Sequence, residues 1–127
     1  MKALVVEPGK KPVIREIGTT LQDEQKVVGG LIEVVYPFRD EVALVCNEEG
    51  KYLGLEPNRA LRDDTGRIYD IVCGTFFVCG LSLEDGDFSS LSDDLIERYT
   101  EKFKYPEAFI DFGDHLTVVA MVPMEEE

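Results

Sequence analysis

Two apolar segments, VALVC at Val42–Cys46 and IVCGTFFVC at Ile71–Cys79, decide the fold. Neither contains a charged side chain, so we expect both to be covered on both faces, as the central strands of a sheet are. They are predicted to run side by side in the middle of the molecule. Between them lies a polar, turn-rich insert, residues 47–70, which this pairing would hold in place.

The residues before Val42 predict a hairpin, a helix and a third strand. Lys2–Glu7 and Val13–Ile17 flank a Pro- and Gly-rich turn, which favours two paired strands. Thr20 is predicted to cap a short helix that ends at two glycines. Leu31–Tyr36 reads as a strand antiparallel to the one that follows it.

That short helix has a thin apolar stripe, so it is expected to lie over the sheet. Leu21, Gln25 and Val28 would face the sheet, and Glu24 would be more exposed.

The insert and the C-terminal part complete the prediction. Lys51–Leu55 reads as a short extended piece, and Pro57 is expected to open a single helical turn. Residues 80–91 form an acidic loop, and Ser92 caps a second helix whose Asp94 and Arg98 are spaced to pair. Leu116–Val122 has the composition of a final strand.

These elements indicate an α+β fold with a mixed, mostly antiparallel sheet and two helices packed on it. The 127 residues fit one domain, predicted to span residues 1–122, followed by an acidic tail at residues 123–127. No apolar run is long enough for a membrane helix and no signal peptide is apparent, so we expect a soluble, cytoplasmic protein.

The net charge of −13 is unevenly distributed. Residues 71–127 carry thirteen acidic and only three basic side chains. Such a surface repels nucleic acid and membranes and attracts a basic protein partner, although solubility alone also accounts for it. We therefore expect no direct nucleic-acid binding and no membrane contact; the sequence gives no oligomeric state.

The insert and the second apolar segment also carry a recognisable pattern. NEEGK at residues 47–51, LGLEPNRAL at residues 53–61 and IVCGTFFV at residues 71–78 resemble the family DUF3846, a domain of unknown function, over roughly residues 1–105. The resemblance implies a small protein of bacteria, phages or conjugative elements, and it implies no reaction.

A polar pocket beside the central strands is the predicted site for a small ligand. Its residues would be Asn47, Glu49, Asn58, Arg59, Gly74 and Thr75. An arginine at such a site can clamp a carboxylate or phosphate, and a glycine lets a ligand approach the backbone. The alternative is structural: Asn58 would cap the insert turn and Arg59 would pair with Glu56 or Asp63.

No catalytic arrangement or cofactor motif stands out. Cys46, Cys73 and Cys79 sit in apolar segments and are expected to be structural, unbridged core residues. The one histidine, His115, lies outside the resemblance and is not expected to be catalytic. Asp63, Asp64 and Asp70 could supply oxygen ligands to a metal ion, but their spacing matches no EF-hand loop, and no metal site is predicted.

The sequence therefore favours a non-enzymatic binding or regulatory protein that acts on a basic partner. A ligand-binding domain or enzyme using the polar pocket is the alternative.

Overall fold

A computed structural model describes residues 1–124 as two helices and ten strands. The strands are β1 (Lys2–Val6), β2 (Val13–Glu16), β3 (Ile32–Val35), β4 (Val42–Asn47), β5 (Pro57–Arg62), β6 (Ile68–Cys73), β7 (Phe76–Leu81), β8 (Phe88–Ser89), β9 (Glu107–Asp111) and β10 (Leu116–Ala120). The helices are α1 (Leu21–Val28) and α2 (Asp93–Lys102).

The main sheet has the order β2-β1-β7-β4-β3, and the short β8 pairs with β7. Each pairing between described strands is antiparallel. At the centre, Val42 lies opposite Gly80 and Val45 opposite Phe77, so the predicted adjacency of the two uncharged segments is confirmed for β4 and β7. The predicted hairpin of β1 with β2 and the pairing of β3 with β4 are also confirmed.

The two faces of this sheet carry different layers. Helix α1 covers one face, where the buried side chains are Ala3, Val5, Val28, Ala43, Val45, Phe77 and Cys79. Helix α2 and the β5–β6 hairpin cover the other, where the larger core forms from Leu4, Val6, Val42, Leu44, Cys46, Leu61, Val72, Phe76, Val78, Leu91, Ile96, Tyr99 and Phe103. The predicted α+β fold with two helices on the sheet is therefore confirmed.

The segment Ile71–Cys79 is not one strand, as predicted, but two strands in different sheets. The chain breaks at Gly74, whose φ of 86° lies in the left-handed region that glycine adopts at little cost. Before the break, β6 pairs with β5; after it, β7 enters the main sheet. A Cβ at Gly74 would lie 2.7 Å from the side chain of Leu55, so the turn also requires close packing.

The insert folds differently from the prediction. Pro57 begins strand β5 instead of a helical turn, because residues 57–62 pair with β6. A register shift between Pro57 and Arg59 marks a bulge in this hairpin. Lys51–Leu55 is a turn and not an extended piece.

Both helices begin where predicted. Thr20 caps α1 in a reciprocal arrangement with Asp23, and Ser92 caps α2. The predicted stripe of α1 is wrong in part, because the helix is rotated so that Glu24 and Val28 are buried and Leu21 is exposed. Burial raises the pKa of Glu24, and the charge of Asp23 adds to that effect.

The C-terminal part contains a second hairpin. The final predicted strand is present as β10, but its partner β9 was not predicted, nor was the two-residue β8 inside the acidic loop. Of the predicted acidic tail, residues 125–127 lie outside the described part of the chain. Within residues 1–124 no helix has the length and apolar character needed to cross a membrane.

We predict that Gly74→Ala destabilises the protein by more than Gly54→Ala. Both glycines have positive φ, but a Cβ at Gly54 meets nothing within 4 Å, whereas one at Gly74 meets Leu55. Gly54→Ala should therefore cost only the left-handed backbone penalty of about 1 kcal/mol, and Gly74→Ala about 2–4 kcal/mol, because overpacking adds to it. Urea unfolding measures the free energy of unfolding of both variants. Equal losses would show that the contact with Leu55 does not contribute to stability.

Candidate functional site

Asn58 and Arg59 form a buried polar pair at the start of β5. Asn58 is 0% exposed and Arg59 is 1% exposed, and Arg59 is among the largest fully buried side chains of the described chain. The bulge between Pro57 and Arg59 changes the alternation of the strand at this point. Because buried polar groups cost free energy unless they are hydrogen-bonded, the partners of these two side chains determine what the pair does.

The amide of Asn58 joins three parts of the chain. Its Nδ2 donates to the carbonyl oxygen of Val6 at 2.9 Å and to that of Gly74 at 2.9 Å. Its Oδ1 accepts a hydrogen bond from Nη1 of Arg59 at 2.8 Å. Asn58 thus holds the end of β1 and the β6–β7 turn against the hairpin, instead of capping a turn of the insert.

The guanidinium of Arg59 makes five hydrogen bonds, all to oxygen atoms of the protein. Nε and Nη2 donate to the carbonyl of Phe103 at 3.3 and 2.9 Å. Nη2 also donates to the carbonyl of Lys10 at 2.7 Å, and Nη1 donates to the backbone and side-chain oxygens of Asn58. Since a guanidinium has five N–H donors, none is left for a ligand in this arrangement.

The hydrogen-bond partners of Arg59 are neutral carbonyl and amide groups, and their dipoles stabilise its positive charge. Burial lowers the pKa of Arg59, and the charge of Glu107 acts in the opposite direction. Phe103 is the C-cap of α2, so the guanidinium sits at the negative end of the helix dipole. Arg59 therefore ties the end of α2 to β5 and to the β1–β2 turn.

Asn47 and Glu49 are joined to each other by a hydrogen bond and form a second group, apart from Asn58 and Arg59. Asn47 is buried, and its Nδ2 donates to the carbonyl of Val28 at 3.2 Å while its Oδ1 accepts from the N–H of Glu49 at 2.8 Å. Asn47 thus joins the end of α1 to the end of β4. Its geometry is that of a turn-stabilising asparagine.

The predicted residues do not line one common cavity. Gly74 and Thr75 border an open cleft of ≈ 310 Å³ beside the end of α1. Asn47 borders a smaller cavity of ≈ 80 Å³ between β4 and β6, and Arg59 one of ≈ 100 Å³ next to α2. Ligand binding by these residues stays a prediction, while their contacts give Asn47, Asn58 and Arg59 structural roles.

The cysteines are free thiols inside the fold, as the sequence predicts. Cys46 and Cys79 are buried and Cys73 is half-buried. Burial raises the pKa of Cys46 to about 11 and that of Cys79 to about 12, and it also raises the pKa of Cys73. All three are therefore protonated and poorly nucleophilic at neutral pH.

The three aspartates considered as metal ligands each have their own partner. Asp63 accepts hydrogen bonds from Thr65 and Arg67, which lowers its pKa; Asp64 pairs with Arg39 at 2.5 Å, and Asp70 pairs with Lys51. Within residues 1–124, no three His, Cys, Asp or Glu side chains are grouped to hold a metal ion. His115 is exposed in the β9–β10 turn, stacked on Phe112 and hydrogen-bonded to Asp114.

Asp40 makes a contact that sequence reasoning missed. It accepts hydrogen bonds from the Tyr99 hydroxyl at 2.6 Å and from Arg98 at 2.6 Å, which lower its pKa. Burial and the same hydrogen bond raise the pKa of Tyr99 well above its usual value. Arg98 was expected to pair with Asp94 along the helix, and no short-range pattern signals a partner 58 residues away.

A strongly acidic surface lies at one end of the main sheet, which we call the acidic end. Its members are exposed carboxylates on the β7–β8 loop, the first turns of α2 and the start of β4: Glu41, Glu84, Asp85, Asp87, Asp93, Asp94 and Glu97. The N–H of Leu81 donates to the carbonyl of Glu41 at 3.0 Å, and the N–H of Leu91 donates to that of Lys2 at 2.9 Å. The first bond joins the β7–β8 loop to the start of β4, and the second joins the residue before the Ser92 cap of α2 to the start of β1, the neighbour of β7.

Few positive charges oppose the acidic end. Residues 81–101 contain seven acidic side chains and one basic side chain, Arg98, which is bound to Asp40. Lys2 lies 3.8 Å from Asp93. Leu83, 70% exposed, adds an apolar side chain to the same loop. The acidic end therefore combines several exposed carboxylates with one exposed apolar side chain.

We predict that Arg59→Lys lowers the free energy of unfolding by about 2–4 kcal/mol. A lysine has three donors and no planar fork, so buried carbonyl groups of Lys10, Phe103 or Asn58 lose their partners. Arg62→Lys is the matched control, because Arg62 is exposed and its ion pair with Glu107 should contribute less than about 1 kcal/mol. Similar urea midpoints for the two variants would contradict the structural role of Arg59.

We also predict that a thiol reagent at pH 8 modifies one cysteine of the native protein before the other two. With a pKa of about 11, only about a thousandth of Cys46 is thiolate at that pH, and Cys79 has still less. The rapidly labelled cysteine should be Cys73, so rapid labelling should be absent in Cys73→Ser. In urea, all three cysteines should react at similar rates. Rapid labelling of Cys46 or Cys79 in the folded protein would contradict the burial.

The comparisons with known proteins give a family and add no activity. The family model DUF3846, a domain of unknown function, matches residues 1–104, so its match ends just after α2 and excludes the β9–β10 hairpin. No curated protein and no solved structure matches the chain. The match covers most of the chain and includes the buried pair Asn58 and Arg59, so the protein belongs to the DUF3846 family.

Proposed function

We propose that this protein is a non-enzymatic binding or regulatory protein of a bacterial mobile genetic element, active in the cytoplasm, whose acidic end engages a basic protein partner. The observation that carries the proposal is the grouping of charge: seven exposed carboxylates lie on three elements that come together at one end of the sheet. Clustered charge of one sign accelerates encounter with an oppositely charged partner and selects against partners of like charge.

Backbone hydrogen bonds and a helix cap hold the acidic end in place. Its loop is held by hydrogen bonds of Ser82 with Asp87 and Gly86, and the start of α2 is fixed by the Ser92 cap. A carboxylate array held by backbone contacts loses less entropy on binding than one on an unstructured segment. Exposed carboxylates grouped in this way would compete with nucleic acid for the binding site of a basic enzyme.

The alternative, a small ligand bound through Asn47, Asn58, Arg59 and Thr75, has less support. Arg59 donates all five of its hydrogen bonds to protein oxygens, and the four side chains border different cavities or none. The mobile-element setting rests on what the resemblance to the family implies.

The proposal predicts salt-sensitive capture of basic proteins from host lysate, with the retained proteins identified by mass spectrometry. Neutralising the acidic end with Glu84→Gln, Asp94→Asn and Glu97→Gln should weaken retention about tenfold, since each charge contributes a few tenths to one kcal/mol. Retention should also fall as salt rises above ~0.1 M, where the screening length is about 10 Å.

A second triple variant, Glu48→Gln, Glu49→Gln and Glu56→Gln, is the control. It removes the same number of exposed charges, and Glu48 and Glu49 lie about 20 Å from the acidic end, beyond the far end of β4. If the two triple variants lose retention equally, then the net charge of the protein, and not the position of the charges, determines binding. Absence of any basic protein on the column at low salt would end the proposal.

A further inference from the structure

The β9–β10 hairpin adds nothing to either hydrophobic core and exposes apolar side chains instead. No residue of 107–124 belongs to the core clusters. The apolar side chains that lie between 42% and 58% exposed in this part of the chain are Ile110, Phe112, Leu116, Val119, Met121 and Val122. A two-stranded ribbon is marginally stable by itself, so further strands would stabilise it.

The outer edge of β10 has a defined set of free backbone groups. The N–H of Phe112 donates to His115 at 3.0 Å, and the N–H of Met121 donates to Pro106 at 2.8 Å. Because hydrogen-bonded positions alternate along an antiparallel strand, residues 115, 117, 119 and 121 bond to β9. The N–H and C=O groups of Leu116, Val118 and Ala120 therefore point outward, away from β9.

Charge sets this edge apart from the other open edges of the described chain. The outer strands of the main sheet carry charged side chains, Arg15 and Glu16 on β2 and Glu33 on β3. Charges on an edge strand are the usual protection against pairing with another chain. Strand β10 has none, and residues 115–124 contain no Asp, Glu, Lys or Arg in a chain with a net charge of −13.

We propose that β10 pairs with β10 of a second copy of this chain, antiparallel, about a two-fold axis at Val118. Val118 then lies opposite Val118 of the second copy, and Leu116 opposite Ala120. The three outward residues of each copy supply six hydrogen bonds across the axis. The two ribbons become one four-stranded sheet, which satisfies the need of a small sheet for more than two strands.

The uncharged stretch of β10 favours a second copy over another occupant, because it complements itself. Two chains of charge −13 repel each other over most of their surfaces, and at β10 each meets an uncharged strand. A two-fold contact requires a patch that complements itself, and the stretch LTVVA places no like charges opposite each other. A basic partner, by contrast, is attracted to the acidic end. This pairing is independent of the proposed function.

The decisive variant is Val118→Pro, measured by sedimentation equilibrium on the full chain. Proline removes an N–H that points outward, so the pairing of β9 with β10 is kept while the intermolecular ladder is broken. Ile14→Pro is the matched control. Since Ile17 and Met1 bond to each other, Ile14 also directs its N–H outward, from the edge of β2. We expect a dimer for the native chain and for Ile14→Pro, and a monomer for Val118→Pro.

Salt and cross-linking provide independent readouts. Raising salt should strengthen the dimer, because it screens the repulsion between two acidic copies. Its effect on the binding of a basic partner is the opposite, since it weakens that attraction. Val118→Cys should form a disulfide-linked dimer under mild oxidation, since hydrogen-bonded pairs have Cα atoms about 5.5 Å apart; Ile14→Cys should not. A native chain that stays monomeric up to about 1 mM, or equal cross-linking of both cysteine variants, would overturn the pairing.

Discussion

The fold depends on one buried cation, the guanidinium of Arg59. Five hydrogen bonds to carbonyl and amide oxygens connect it to the β1–β2 turn, the end of α2 and its neighbour Asn58. Asn58 continues the network to Val6 and Gly74. A buried charge is costly unless its hydrogen bonds are complete, and here completeness requires that all these segments be in place at once. The network therefore makes the packing of the hairpin on the sheet cooperative.

The strands around this network belong to different layers of the fold. Strands β4 and β7 are uncharged and form the centre of the main sheet, whereas the β5–β6 hairpin covers its larger core with Leu61 and Val72. Gly74 lets the chain leave one sheet and enter the other within two residues. The carboxylates of the acidic end lie on loops and on the outer side of α2, where they do not disturb the core.

Much of the architecture could be predicted because its signals are local. Uncharged strands, helix caps at Thr20 and Ser92 and the first hairpin follow from residue types over a few positions. The break at Gly74 was missed because both flanking strands are apolar, so the pattern continues across it. The role of Arg59 was missed because its partners, Lys10 and Phe103, are 49 and 44 positions away and contribute backbone oxygens, which carry no side-chain signature.

The distance in sequence between Arg59 and Phe103 has a consequence for synthesis on the ribosome. Until residue 103 leaves the exit tunnel, the guanidinium lacks its principal acceptor and the hairpin cannot settle over the sheet. During that interval β4 and β7 are already made, while the face that α2 and the β5–β6 hairpin later cover is still open. Nascent chains of this protein are therefore expected to expose that apolar face for longer than a fold closed by local contacts would.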